Sequence, residues 1–448
     1  MSLRDQNLVY VYYHGSPERQ LMGRLLLKNR QIFFEYDADF IKTGLELSPF
    51  KLPLKAGVIE SNDRTFEGLF GVFNDSLPDG WGRLLLDRKL MNAGINPGAL
   101  SPLDRLCFVG TLGMGALSYE PENRGTISHI TNDLDEIDRE IQATLDENDL
   151  YVDDLLILGG SSAGARPKVL LNIDGVDWLI KFRSQIDPKD ISAIEYAYHL
   201  MAIDAGLVVP EAKLFPSRKG LGFFGVKRFD RNGDSRISPY EKFAPDIQMQ
   251  GDFRAQNRNI QKVHEDSSTK SRQHLTAGAG FSKRAVHMHT IAGLLHADHR
   301  EPSLDYESIM KATLYLTKDI RQCEIQFKNA VFNVLSHNRD DHSKNFSFLM
   351  DSQGNWTLSP AYDLTFSSGP TGEHSTMIMG EGKNPTKKHL LKLAGTVGIK
   401  ENKALEIIHQ VLSATQKWDE FASEAGVSKL QTKNIGEALR TIHKNSGI

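Results

Sequence analysis

Asn338–Asn345 reads NRDDHSKN, and Pro360–Leu364 reads PAYDL a short way downstream. The first stretch sets Asp340 directly after Arg339 and five residues before Asn345. The second carries Asp363 just past a short strand pair expected at Asn345–Met350 and Trp356–Leu358. An aspartate can receive a proton, and an asparagine oxygen with a second carboxylate can hold a hard divalent cation. Phosphoryl transfer needs those parts: the phosphates held, their charge neutralised and the attacking hydroxyl aimed, with little covalent help.

The Asp-to-Asn spacing equals that of the protein-kinase catalytic loop, H-R-D-x-x-x-x-N, and the Arg-Asp pair is present as well. Asp363 then falls where a kinase carries its metal-binding aspartate. Upstream, Gly159–Ala165 (GGSSAGA) is built of small residues whose amides can approach phosphate oxygens closely. Read alone, such a loop is more often a structural turn. Lys181 sits in the apolar strand Trp178–Phe182 (WLIKF), where a phosphate-pairing lysine explains it; read alone, an outward-facing lysine on a half-buried strand explains it about as well. Glu195, on the helix expected at Ile191–Ala205, is the candidate ion-pair partner for Lys181 by analogy with eukaryotic kinases, although read alone an exposed helix glutamate is the more common case. The chain order is loop, lysine, catalytic loop, metal aspartate. Solvated turn chemistry explains either aspartate motif singly, and the ordered pair makes it the weaker reading.

A chain of 448 residues is too long for one small core, so two or three packed units are expected. Hydrophobic residues at 40% and charged residues at 25% are the balance of a globular protein. A formal net charge of -4 provides no overall positive field for nucleic acid or an anionic membrane. Cys107 and Cys323 lie far apart and form no metal-ligand spacing, which favours a reducing cytoplasm. The opening MSLRDQNLVYVYYHG has no long apolar core or cleavage site, and no stretch reaches the roughly 18 apolar residues of a membrane span. The protein is therefore expected to be neither exported nor inserted.

Along the chain, Val9–Tyr13, Leu21–Leu27 and Gln31–Tyr36 read as strands of a small β-rich unit. Phe73–Leu90 (FNDSLPDGWGRLLLDRKL) places a Pro-Asp-Gly turn before an amphipathic helix, and Gly113–Tyr119 reads as a further strand. Acidic residues from Asn132 to Asp154 predict a solvated helix or linker closing the first unit. Val169–Ile173 and Val176–Phe182, joined by Asp174-Gly175, predict a hairpin fed by the Gly-rich loop. Strands are expected again at Ala212–Phe215 and Gly222–Arg228. Residues 232–283 turn polar and predict a mobile insertion; helical periodicity follows from Ala285 through Asn333, and again from Lys387 to His443.

Together these motifs resemble those of the HipA family of toxin kinases. SSAGARPK resembles its phosphate loop, LIKF its nucleotide-lysine strand, VKRFDR its interlobe segment, NRDDHSKNFSF its catalytic loop, PAYDL its metal site and FNDSLPDGWGRLLL its N-terminal subdomain. The resemblance spans about residues 70–365. It implies an α+β, bilobal protein-kinase-like fold with a β-rich N-terminal subdomain at 1–125 and a small lobe with the phosphate loop at 126–230. The polar insertion would then occupy 231–284 and a large all-α C-terminal lobe 285–448. It further implies ATP and Mg2+ in the cleft, with Asp340 catalytic and Asn345 and Asp363 binding the metal. Ala163, Gly164, Ala165, Arg166, Pro167, Lys168 and Lys181 would contact phosphates, while Lys227, Arg228 and Phe229 would border the adenine. His342, Lys344 and Tyr362 would line the nucleotide site.

The family autophosphorylates a loop serine and so expels the loop; Ser161 aligns best, with Ser162 adjacent. A phosphate there adds about -1.5 to -2 charges where ATP's own must sit, a physical cause for inactivation. The kinship also implies a protein substrate such as an aminoacyl-tRNA synthetase. The implied partner is a small helix-turn-helix antitoxin of the HipB kind, so that DNA is met only through that complex. The insertion after Asp230 departs from the family's usual pattern.

Four rival readings stand beside this one. Asp230–Glu241 (DRNGDSRISPYE) fits EF-hand ligand positions, but Ser235 replaces the turn glycine and the preceding GFFGVKRF reads as a strand. His287, His289, His296 and His299 offer a metal site whose mixed spacing does not converge on one ion. His389–Val411 mimics a helix-turn-helix, a pattern that packed helical pairs also produce. Small-molecule phosphotransferases share the lobed architecture and the same aspartate and asparagine logic.

Overall fold

The alternation in Leu8–Tyr13 buries Val9, Val11 and Tyr13 and leaves Leu8 and Tyr10 outside, as a strand covered on one face requires. In the computed structural model this is β1; the structure describes residues 6–123, 133–159, 164–218, 220, 222–231, 275–277, 285–301, 304–369 and 372–448. With β2 (Gln20–Lys28), β3 (Gln31–Tyr36), β4 (Val58–Glu60) and β5 (Leu117–Glu120) it forms an antiparallel sheet in the order β4-β3-β2-β1-β5. The inner face packs on Phe70, Phe73, Leu103 and Leu106. β5 lies at the C-terminal end of the strand expected at Gly113–Tyr119.

The second sheet holds β6 (Lys168–Ile173), β7 (Val176–Lys181), β8 (Ala212–Phe215), β9 (Phe223–Lys227) and β10 (Leu275–Ala277) in the order β10-β6-β7-β9-β8. Asp174 and Gly175 both take positive φ, 51° and 81°, the geometry of a tight hairpin whose twist matches its strands. β10 pairs with β6, so the polar insertion contributes an edge strand where only a mobile segment was expected. Val169, Leu171, Trp178 and Ile180 face a core shared with Trp81, Leu85, Ile137, Ile141 and Leu155. The acidic stretch therefore does more than close the first unit. In helix Leu134–Leu145, Ile137 and Ile141 stand four apart and bury against this sheet, while Asp135 accepts from Ser217 and Arg218. Helix Gly80–Asn92 enters the same core through Trp81 and Leu85.

Helix Ile191–Asp204 buries Ile194, Ala197 and Met201, and the chain turns at Gly206 (φ 75°), as the periodicity predicts. The C-terminal lobe, expected to be all-α, is helical apart from a sheet of β11 (His287–Thr290), β12 (Ser347–Met350) and β13 (Trp356–Leu358). The segment after Ala285 thus opens as a strand, because the period-2 alternation of His287 and His289 outweighs the helical pattern that follows. Around the sheet lie helices Tyr306–Thr317, Ile320–Leu335, Lys387–Gly395, Glu401–Thr415, Trp418–Ala425 and Lys429–Asn445. The helix-turn-helix mimic is core packing, with Leu390, Leu393, Ala404, Ile407, Ile408 and Val411 all buried.

Histidines sew the first unit to this lobe. His287 Nε2 lies 2.9 Å from the Leu47 carbonyl, and His289 Nδ1 lies 2.6 Å from Asp75. The Gly71 amide donates to His296 Nε2 at 3.0 Å, so the proton sits on Nδ1, 2.8 Å from Asp63. Among the described residues no group of three His, Cys, Asp or Glu side chains is placed to hold a metal, which removes the histidine-cluster reading there. Burial, then repulsion from His289, pushes His287 down to about 3 from an ordinary 6.5. Because the unfolded chain takes up that proton first, stability present above pH 6.5 is lost as pH falls toward 3. Urea midpoints are expected to show a loss of about 2 kcal/mol from this group between pH 7 and pH 5. His287→Gln should flatten that slope, and an unaltered slope would count against the buried neutral imidazole.

Candidate active site

The register of β6 and β7 sets Lys168 opposite Lys181, two buried ammonium groups side by side. Like charges in such a place require carboxylates. Asp363 approaches Lys181 Nζ at 2.5 Å and Glu195 at 3.1 Å, so the pairing expected between Lys181 and Glu195 is present. Glu195, only 2% exposed, binds Arg166 at 2.6 Å through its other oxygen, and Arg166 reaches Asp187 at 3.1 Å. The result is a ladder of alternating charge running from the loop through helix Ile191–Asp204 to β7 and Asp363. Burial opposes the Lys181 charge, but Asp363 and Glu195 outweigh it and raise its pKa. For Asp363, burial is likewise overcome by Lys181 and Lys168, which hold its carboxyl far below the usual range. Lys168 is driven the other way, its pKa lowered by burial despite Asp363. Asp363 also sits at φ 57°, a left-handed conformation uncommon for a non-glycine residue and concentrated at functional sites.

Two adjacent aspartates in the NRDDHSKN loop have opposite surroundings. Asp341 is fully buried and accepts from Tyr306 Oη and His374 Nδ1, both at 2.8 Å. Asp340 is exposed at the cleft. Partial burial and the Asp363 charge raise its pKa, against the opposite pull of His342 and Arg166. Asn345 donates its side-chain amide to the Asp340 carbonyl at 2.7 Å, which turns its oxygen into the group left to accept or coordinate. Arg339 supports the loop by donating to the carbonyls of Gly372 and Lys383.

The remaining expected residues divide. Lys344 Nζ contacts Asp79 at 2.7 Å, Tyr362 Oη donates to the Lys344 carbonyl at 2.6 Å, and His342 and His299 rings lie 5.4 Å apart. Phe229 packs on Tyr362 with centroids 5.7 Å apart. Lys227 turns to Glu211 at 2.9 Å and Arg228 to Asp230 at 2.7 Å, so their side chains are committed to ion pairs. The Pro167 carbonyl accepts the Phe182 amide, extending the β6–β7 ladder, and Ala165 lies beside Gly80. Ser161, Ser162 and Ala163 lie outside the described residues. The calcium reading loses its first ligand, because Asp230 is spent on Arg228, Arg231 and the Gly115 amide; its positions 232–241 lie outside the described residues. No helix among the described residues is long and apolar enough to cross a membrane.

Asp79 and Asp187 are the site residues that the sequence reading missed. Asp79 precedes helix Gly80–Asn92 at the N-cap, where aspartate is so ordinary that the Pro-Asp-Gly turn disguised its other contacts.

The β-rich N-terminal unit, the second sheet and the helical C-terminal lobe form an α+β fold with the charge-paired residues gathered at Lys181. The chain matches the HipA-like C-terminal domain over residues 160–418 and the HipA N-terminal domain over residues 10–120, and it belongs to the HipA family. Among solved structures it is similar to HipA of Shewanella oneidensis MR-1, solved with HipB and operator DNA. That likeness has a TM-score of 0.63 and 15% identity, and covers 97% of this chain and 95% of that one. The proinflammatory kinase CtkA of Helicobacter pylori aligns at a TM-score of 0.32 and 12% identity over 60% of this chain and 94% of its own, too slight a likeness to weigh. No curated protein matches the sequence.

Proposed function

We propose that this chain is an ATP-dependent serine/threonine protein kinase of the HipA toxin type. The observation that carries the reading is Lys181, bound at once to Asp363 and Glu195 beside the loop that presents Asp340. In this reading Lys181 and Lys168 hold the phosphates, Asp340 orients and deprotonates the substrate hydroxyl, and Phe229 and Tyr362 border the base. Asp363 and the Asn345 oxygen suit magnesium, which takes one or two side-chain ligands and completes its shell with phosphate and water. When bound, that ion would neutralise charge on the transferring group. The raised pKa of Asp340 favours its work as a base near neutral pH.

The substrate would be a protein, an aminoacyl-tRNA synthetase being the family's precedent, and Ser161 or Ser162 of the chain would be modified as well. A HipB-like antitoxin is the matching partner, with DNA met through it, and the cytoplasm is the compartment these roles need. Purified chain incubated with ATP labelled at the terminal phosphate should carry label on serine, in the peptide holding Ser161 and Ser162. Label appearing only on sugars or aminoglycosides in a mixed acceptor panel would replace this reading with a small-molecule phosphotransferase. Lys181→Met is expected to lower transfer efficiency on the order of a hundredfold, read as kcat/KM for ATP.

A further inference from the structure

Gly164 has both of its backbone polar groups taken by the segment Asp79–Trp81. Its N–H donates to the Asp79 carboxylate, and its carbonyl accepts the Trp81 amide at 3.1 Å. Gly80, at φ 41°, allows this approach, since a Cβ there would land on the Gly164 backbone. Trp81 is buried in the core of the second sheet and fixes the segment. The other Asp79 oxygen lies 2.7 Å from Lys344 Nζ, itself 8% exposed, and His299 Nε2 stands 3.8 Å away.

Asp79 occupies the N-cap of helix Gly80–Asn92 yet makes no capping hydrogen bond to it. An aspartate at that position ordinarily satisfies a free amide of its own helix. Here the carboxylate is turned outward to two other segments instead. Gly164 in turn lies against the Lys168 ammonium, so closely that a Cβ on it would meet Nζ at 2.5 Å. The position of Gly164 therefore decides how Lys168 is presented. Its amide, aimed at Asp79, serves as an anchor of the loop.

We propose that Asp79 is a positioning residue: reaching from the N-terminal region, it ties the phosphate loop at Gly164 to the catalytic loop at Lys344, and nucleotide affinity depends on that tie. The proposal rests on the nucleotide reading given above. Without the tie, the loop end and Lys168 beneath it are free to shift, and the phosphate-facing lysines lose their spacing.

The test uses the full chain with Asp79→Ala and Asp79→Asn. Hydrogen exchange of the peptide containing Gly164, measured without nucleotide, should quicken at least tenfold in the alanine variant. It should stay within threefold of wild type in the asparagine variant, which keeps an acceptor for the amide. Calorimetric titration with the magnesium complex of a non-hydrolysable ATP analogue should show at least tenfold weaker binding for Asp79→Ala and about threefold weaker binding for Asp79→Asn, which loses only the charge facing Lys344. Faster exchange with undiminished affinity overturns the proposal, as does unchanged exchange. If the alanine variant does not fold, undiminished affinity in the asparagine variant overturns it. Failure of the wild-type chain to bind the analogue would instead sink the kinase reading, and the exchange measurement would still report on the anchor.

Discussion

Asp340→Asn is expected to lower phosphoryl transfer by about a thousandfold while leaving the urea midpoint within about 0.5 kcal/mol of wild type. The substitution keeps the shape of an exposed side chain and removes its capacity to accept a proton. Its neighbour supplies the contrast. Asp341→Asn replaces a buried carboxylate that accepts from Tyr306 and His374, and should cost about 1–3 kcal/mol of stability. Label transfer and denaturant titration on both variants separate chemistry from support. Near-normal transfer by Asp340→Asn would refute the assignment of the base, whatever the fate of Asp341.

The same pair shows what a sequence can and cannot convey. Spacing singles out Asp340, Asn345 and Asp363 as candidates because chemistry at a phosphate demands fixed residue types in order; β1 and β3 alternate because one face is buried, whereas the β6–β7 hairpin is legible as two apolar runs joined by Asp174-Gly175. The Lys181–Glu195 pair was only half legible: analogy with eukaryotic kinases offers Glu195 as the partner, while composition alone favours an exposed helix glutamate. Residues that act across long sequence separations were not. Asp79 joins Gly164 and Lys344, 85 and 265 positions away, and nothing local distinguishes it from an ordinary cap. The histidine seam was hidden similarly, since His287, His289 and His296 find their partners in Leu47, Asp75 and Asp63 of a different unit. Helix Leu134–Leu145 misled because its acidic composition masked Ile137 and Ile141, whose four-residue spacing marks its buried stripe.

Asp230→Ala is expected to destabilise the protein by about 3–5 kcal/mol, the loss seen when one partner of a buried ion pair is removed. Asp230 is fully buried and binds Arg228 through both oxygens, at 2.9 and 2.7 Å, and Arg231 at 2.8 Å. It also accepts the Gly115 amide at 2.8 Å, while Arg231 donates to the carbonyls of Gly113 and Gly115. Alanine would remove the carboxylate that bonds both buried guanidinium groups, and with it the acceptor that fastens the end of β9 to the first unit at Gly115. Asp230→Asn should lose less, since it can still accept the Gly115 amide. Denaturant titration gives the size of the effect, and calcium added to chelated wild-type protein should leave the midpoint where it was. A loss under about 1 kcal/mol would mean that the arginines find water or other acceptors. A calcium-dependent rise would mean that Asp230 can leave its arginines for a metal, which its three donor groups and full burial make costly.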